Sequence, residues 1–118
     1  MPVIKNEDLE WKEQVPGMLR KEWVNWERGS VGITMGEVRI KPGADNTWHT
    51  HDVEDVGCLR SGKVTLYSGD EVHEVHPGMT MLIPAHVRHR IVNTGKEEAH
   101  IIFCFPTAEI GHPWGKKS

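Results

Sequence analysis

Short segments compatible with β-strands alternate along the chain with residues typical of turns. Between residues 33 and 41, apolar side chains such as Val38 and Ile40 alternate with charged ones, which is the period of a half-buried strand. Two further runs, 79–83 and 100–105, are almost continuously apolar. Such runs predict strands that are covered on both sides.

Glycine and proline mark the turns between these segments. The Ser-Gly-Asp sequence at 68–70 predicts a hairpin between strands at 63–67 and 71–75. Other turns are predicted at Pro16-Gly17, Pro42-Gly43, Ser61-Gly62, Pro77-Gly78 and Asn93-Thr94-Gly95. Residues 8–13 are compatible with a short helix capped by Asp8, which the Pro16-Gly17 turn would end. Many short strands with regular turns predict an all-β sandwich or barrel.

The size and composition of the chain exclude several classes of protein. Its 118 residues predict one domain, 1–118, and 37% hydrophobic with 26% charged residues is ordinary for a globular protein. A net charge of −3, with Lys116-Lys117 as the most basic run, argues against nucleic-acid binding. No apolar run is long enough to cross a bilayer, and the N-terminus lacks the features of a signal peptide. We therefore expect a cytoplasmic protein with no membrane partner, in which the two cysteines are buried thiols.

Histidines are concentrated in the middle of the chain. Six of the eight lie between His49 and His89. In a strand, side chains two residues apart point to the same face, so His49 and His51 are predicted to project together. The same period adds Asp55 to that face and places Glu54 on the other. A β-bulge would exchange the two acids, so Glu54 stays open as the alternative.

A second segment, 78–93, supplies another histidine. An apolar strand ends at Pro84, and a short turn leads to His89. If this strand lies beside the His49–His51 strand, the site has three imidazoles and one carboxylate. That donor set suits one divalent transition metal, Fe²⁺, Mn²⁺, Ni²⁺, Cu²⁺ or Zn²⁺, rather than Mg²⁺ or Ca²⁺. The sequence therefore predicts His49, His51, Asp55 and His89 as metal ligands.

Both histidine segments resemble the two sequence motifs of the cupin family, here of the small single-domain, RmlC-like type. In motif one, 43–62, five residues separate Gly43 from His49-Thr-His51, three separate His51 from Asp55, and six separate Asp55 from Gly62. In motif two, 78–93, five residues follow Gly78, then Pro84-Ala-His86, two residues, His89, three residues and Asn93. Two positions depart from the family pattern: Asp55 replaces the usual Glu, and His86 replaces a turn glycine.

The resemblance implies a double-stranded β-helix, or jelly-roll barrel, with the metal near one open end. It also implies a homodimer that pairs through sheet edges and N-terminal strands. By analogy with the family, we expect a dioxygenase, a metal-dependent oxidoreductase that acts on a small bidentate oxygen-containing organic substrate. Two alternatives stay open: a non-oxidative isomerase, lyase or decarboxylase that uses the metal as a Lewis acid, and a module that binds or senses a small molecule without turnover.

Some other polar residues are candidates for roles beside the metal. A non-oxidative enzyme usually needs an acid or base that is not a ligand, and the candidates are His86, His100, Tyr67 and Glu54. His100 is expected either in the core with a hydrogen bond or in the pocket. An anionic substrate would need a cation such as Arg60, Arg88 or Arg90. Asn93 is expected to fix the turn after motif two.

Overall fold

Strands dominate residues 2–108, the part of the chain that the computed structural model describes. They are β1 (Lys12–Val15), β2 (Met18–Val24), β3 (Thr34–Ile40), β4 (Asp55–Ser61), β5 (Val64–Ser68), β6 (Glu71–Val75), β7 (Thr80–Ile83), β8 (His89–Val92) and β9 (Ala99–Phe105), with 3-10 turns at Asn6–Asp8 and Trp26–Arg28. No helix within residues 2–108 is long and apolar enough to cross a membrane. The pair Lys116-Lys117 lies outside the described residues.

The strands form two sheets that enclose one core. The larger sheet has the order β1-β2-β3-β9-β4-β7 and the smaller one β6-β5-β8, and neighbouring strands are antiparallel. A single cluster of buried apolar side chains joins Ile40 and Leu59 of the larger sheet to Val64 and Leu66 of the smaller. The predicted all-β fold is thus confirmed as a double-stranded β-helix, a jelly-roll barrel.

Alternation of buried and exposed positions explains how the larger sheet packs. In β9, Ala99, Ile101, Phe103 and Phe105 are buried, and the residues between them are half-buried. Each large apolar side chain buried in this way contributes about 1.5–3 kcal/mol to folding. The prediction that 79–83 is covered on both sides is wrong, because Leu82 of β7 is 62% exposed. Only one face of this sheet packs against the smaller sheet, and β7 is at its edge.

Two hairpins show how the turn residues act. The predicted hairpin is confirmed, since β5 pairs with β6 from Val64↔Val75 to Ser68↔Glu71. The N-terminal segment forms a 3-10 turn and β1 instead of the possible helix. The reason is the turn at Gly17, whose φ of 82° reverses the chain so that β1 pairs with β2.

The segment 43–49 runs antiparallel along the free side of β8. Gly43 N–H donates to Asn93 O at 2.9 Å, and Asn93 N–H donates to Ala44 O at 3.0 Å. Isolated bridges then join Asp45 to Val92 and His49 to His89. This pairing brings the first histidine segment against the second.

Candidate metal centre

Three different parts of the chain deliver the predicted ligands. His49 and His51 lie in an irregular segment before β4, not in the regular strand that their spacing predicts. His49 N–H donates to His89 O at 3.0 Å, and His89 N–H donates to His49 O at 2.9 Å. His89 is the first residue of β8, and Asp55 is the first of β4. Backbone pairing therefore fixes the two most distant histidines side by side.

The side chains converge on a common point. Ring centroids lie 4.9 Å apart for His49 and His51, 4.2 Å for His49 and His89, and 5.1 Å for His51 and His89. One ring nitrogen of each histidine lies within 4.8 Å of the others. Asp55 Oδ2 is 3.5 Å from His89 Nε2 and 3.7 Å from His51 Nε2. Glu54, the alternative acid, is exposed.

Backbone carbonyls set the tautomers of two of the rings. His49 Nδ1 lies 2.7 Å from Thr47 O, and His89 Nδ1 lies 2.9 Å from Val87 O. A carbonyl oxygen only accepts, so each Nδ1 carries the proton and donates it. The lone pair is left on Nε2. Metal-binding histidines have the same arrangement, in which one ring nitrogen donates to a carbonyl or carboxylate and the other binds the ion.

The site has an atom whose surroundings suit a cation. His89 Nε2 is buried, makes no hydrogen bond to the residues that the structure describes, and lies 3.5 Å from Asp55 Oδ2. Burial lowers the pKa of His49 against the opposing hydrogen bond to the Thr47 carbonyl, which favours the neutral imidazole that binds a metal ion. Three imidazoles beside one carboxylate fit a divalent transition metal.

A polar network holds the loop that carries His49. Asp45 Oδ1 accepts the Thr47 N–H at 2.7 Å, and Thr47 takes a left-handed φ of 63°. The other Asp45 oxygen pairs side-on with Arg90, at 2.7 Å from Nη2 and 2.9 Å from Nε. This turn points the Thr47 carbonyl at the His49 ring.

A small cavity of about 40 Å³ adjoins the histidines inside the barrel. Its wall is mostly apolar, and its polar or charged lining residues are Gln14, Arg20, Asn46, His49, His51 and Asp55. Arg20 and Gln14 also line a cleft of about 760 Å³ between the N-terminal segment and the turn Trp26–Arg28. Arg20 and Gln14 therefore border both the small cavity beside the histidines and the surface cleft.

The remaining candidates from the sequence lie elsewhere. His86, Tyr67, Glu54 and His100 do not line the small cavity in the part of the chain that the structure describes. His86 is 72% exposed, and its left-handed φ of 68° shows how it replaces a turn glycine. His100 lies on the outer face of the larger sheet, where it is 2.7 Å from Glu37 Oε1. It is therefore neither in the core nor in the pocket.

The proposed anion-binding arginines also face away from the cavity. Arg60 is exposed. Arg88 and Arg90 stack on the ring of Trp48, at 4.9 and 6.0 Å from its centroid. Asn93 is buried and donates to Ile40 O and Glu97 O at 2.7 and 2.8 Å, as expected of a residue that fixes a turn.

Sequence reasoning missed Arg20. Its guanidinium is buried inside the barrel, 4.5 Å from the centroid of Phe103. Desolvation lowers the pKa of Arg20, against the opposing effect of Glu22. The sequence of β2 did contain this information. Arg20 lies two residues after Met18, so both side chains point to the same, inner face of the strand.

Comparison with known proteins gives the same picture of the fold. The sequence model of the cupin domain family matches residues 36–105. The protein SchB of Streptomyces halstedii is 32% identical over 89 residues, which are 71% of this chain and 64% of SchB. Oxalate oxidase 2 of Hordeum vulgare is 30% identical over 91 residues, 70% of this chain and 41% of that protein. The chain thus spans less than two thirds of either relative. The structure of KdgF from Halomonas sp. superposes with a TM-score of 0.76 at 21% identity, covering 90% of this chain and 94% of KdgF.

Proposed function

This chain belongs to the cupin domain family, and we propose that it is a metal-dependent dioxygenase acting on a small bidentate oxygen-containing organic substrate. One observation carries the proposal. His49, His51 and His89 converge beside the Asp55 carboxylate, next to a cavity that shares lining residues with a surface cleft. A site of this kind fits an enzyme better than a purely structural metal site, because structural sites are closed to other ligands.

We propose His49, His51, His89 and Asp55 as the ligands of one divalent transition metal. Such an ion, when bound, polarises the oxygen atoms of a substrate and stabilises negative charge on them. The residues themselves supply orientation. Thr47 and Val87 hold two of the imidazoles through their Nδ1 protons. His51 is held through its backbone, since its carbonyl oxygen accepts the His86 N–H at 2.8 Å.

Apolar side chains would keep water away from the reacting groups. The cavity wall includes Ile83, Ile91, Phe103 and Phe105, all buried in the core. An apolar wall lowers the local dielectric constant and so strengthens the attraction between the charged groups that face the cavity. It would also protect a reactive intermediate from hydrolysis.

The groups that line the cavity support oxidative chemistry over the non-oxidative alternative. An isomerase or lyase needs a proton donor or acceptor that is not a ligand. Among the described residues, the four candidates for that role lie outside the cavity. The relative from Hordeum vulgare is named an oxalate oxidase, which agrees with redox chemistry on this fold.

We also propose that residues 1–118 form one domain and that two copies pair as a homodimer. Exposed sheet edges tend to attract further strands, and β1 and β7 are the edges of the larger sheet. Leu82 on β7 is exposed and would be covered by pairing there. Light scattering coupled to size-exclusion chromatography measures the mass, and a monomer at micromolar concentration would end this part of the proposal.

Two measurements test the proposed function. Elemental analysis of the purified protein should find close to one transition metal per chain. The double variant His49→Ala/His51→Ala should lose it, whereas His73→Ala/His76→Ala, which removes two exposed imidazoles, should keep it. Full metal occupancy in the first double variant would refute the ligand assignment.

The second measurement is oxygen consumption. An oxygen electrode follows the iron-loaded protein with β-diketones, flavonols and catechol-like acids in turn. Uptake with one of these classes supports the dioxygenase. Enol or aldose isomerisation without oxygen uptake would favour the non-oxidative alternative.

A further inference from the structure

The guanidinium of Arg20 and the metal centre share one cavity. Arg20 lies 4.5 and 5.7 Å from the centroids of Phe103 and Phe105. The Phe105 ring in turn packs at 5.0 Å from the His51 ring. Arg20 and His51 therefore contact the same aromatic side chain inside the barrel.

We propose that Arg20 binds the carboxylate of the substrate, so that the substrate is a small organic acid held between this guanidinium and the metal centre. The proposal rests on the proposed function. A guanidinium carries five N–H donors in a planar fork. It can therefore hold the carboxylate of Glu22, whose Oε2 is 2.7 Å from Nη2, together with a second carboxylate.

The charges around the cavity favour an anion. Arg20 is 5% exposed, so its charge acts where little water screens it. The guanidinium of Arg20 is positive, and two carboxylates are near it: Glu22 at 2.7 Å and Asp55, which lines the same cavity. A divalent ion would then leave an excess of positive charge in an apolar enclosure, which an anionic ligand neutralises.

The dimensions limit the size of the bound part. A cavity of about 40 Å³ has room for a carboxylate and few further atoms. Arg20 also lines the cleft of about 760 Å³, so a longer acid would extend outward past it. The cleft carries both signs of charge, for example Glu10 and Lys12. Selection for an anion is therefore expected at Arg20 and not at the entrance.

Calorimetric titration of the Zn²⁺-loaded protein tests this with two probes of equal shape, glycolate and glycolamide. The wild type should bind glycolate more tightly than glycolamide. Arg20→Met should weaken glycolate binding by about 10- to 100-fold, the range for a lost hydrogen-bonded ion pair, and should change glycolamide binding less than about twofold. Arg39→Met is the matched control, because Arg39 lies on the outer face of the same sheet and should leave both affinities unchanged.

The outcomes separate this inference from the proposed function. Arg20→Met that keeps its zinc and binds glycolate like the wild type overturns the role of Arg20 alone. A wild type that binds zinc without binding glycolate does the same. A wild type that binds no metal overturns both.

If circular dichroism shows that Arg20→Met does not fold, Arg20→Lys decides, because lysine keeps the charge and loses the planar fork. An unchanged glycolate affinity in Arg20→Lys then counts against the proposal, and a loss of at least about threefold supports it.

Discussion

The Nδ1–H of His49 donates a 2.7 Å hydrogen bond to the carbonyl oxygen of Thr47, two residues earlier in the chain. His89 makes the same local bond to Val87 at 2.9 Å. Two segments of different sequence thus orient an imidazole through the same hydrogen bond, from Nδ1–H to the carbonyl oxygen two residues earlier. Each ring is oriented by its own segment of chain, which is how metal-binding histidines are commonly held in place.

The tautomers of these rings can be measured directly. In the metal-free protein at pH 7.5, long-range ¹H–¹⁵N spectra should show the proton of His49 and of His89 on Nδ1. His73 is the internal control, because its Nε2 lies 2.7 Å from the Glu71 carboxylate and should carry the proton. A proton on Nε2 of His49 or His89 would contradict the arrangement.

Asp55 and Glu54 should differ sharply in their effect on metal binding. Asp55→Asn removes the carboxylate that lies 3.5 Å from His89 Nε2 and should weaken metal affinity by about tenfold or more. Glu54→Gln removes an exposed neighbouring charge and should leave affinity within about twofold, since exposed charges are screened. Competition with a metal indicator gives both values. Equal losses in the two variants would mean that charge alone, and not position, matters.

The alternation of side-chain direction along strands, together with the turn residues, predicted much of this fold. Both patterns, however, describe only residues that are close in sequence. Asp55 lines the cavity, although the segment from His49 to Asp55 is not the regular strand that a period of two assumes. The turn residues located the β5–β6 hairpin. His49 and His51 converge without a regular strand because the pairing of 43–49 with β8 positions them, and pairing between distant segments is not written in either segment alone. Arg20 was missed for the same reason. The inward direction of its side chain could be predicted from the spacing to Met18. Its neighbours could not, because they depend on how β2 and β9 fold into one barrel.

The two motif glycines Gly62 and Gly78 should respond differently to alanine. Both have a positive φ, 85° and 92°, which costs an alanine about 1 kcal/mol. A Cβ at Gly62 would also lie 2.7 Å from Ala99 Cα and 2.8 Å from Glu98 O, whereas a Cβ at Gly78 meets nothing within 4 Å. We expect Gly62→Ala to lower the free energy of unfolding by about 2–4 kcal/mol and Gly78→Ala by about 1 kcal/mol. Urea titration measures both, and equal losses would contradict the close approach.

Asn93 should be a large contributor to stability although it lies outside the cavity. Its side chain donates to Ile40 O and Glu97 O and accepts the Gly95 N–H at 2.9 Å, so it joins β3 to the turn after β8. Asn93→Ala removes all three bonds, leaves the buried Ile40 carbonyl without this donor, and should lower the free energy of unfolding by about 2–3 kcal/mol. Metal content per folded chain should be unchanged. A stable variant that loses its metal would instead place Asn93 in the site.

The Asp45–Arg90 pair gives the fold a pH dependence with a defined direction. Partial burial raises the pKa of Asp45, but the hydrogen bonds from Arg90 and from the Thr47 N–H outweigh this, and the pKa lies below its ordinary value of 3.8. The folded state therefore releases this proton more easily than the unfolded state. The resulting stability is present above about pH 4 and is lost as the pH falls through the lowered pKa.

Asp45→Asn isolates that contribution, because the amide oxygen can still accept the Thr47 N–H. At pH 7 the variant should lose about 0.5–1 kcal/mol, since the pair is partly exposed to solvent. The difference from the wild type should shrink as the pH falls below the ordinary pKa of 3.8, because the unfolded state then takes up the proton before the folded state does. Glu98→Gln breaks the more exposed pair with Arg39 and should change stability less at every pH. Urea titrations at pH 7, 5 and 3 measure these differences. A gap between Asp45→Asn and the wild type that stays constant with pH would show that the loss comes from the loop geometry and not from the ion pair.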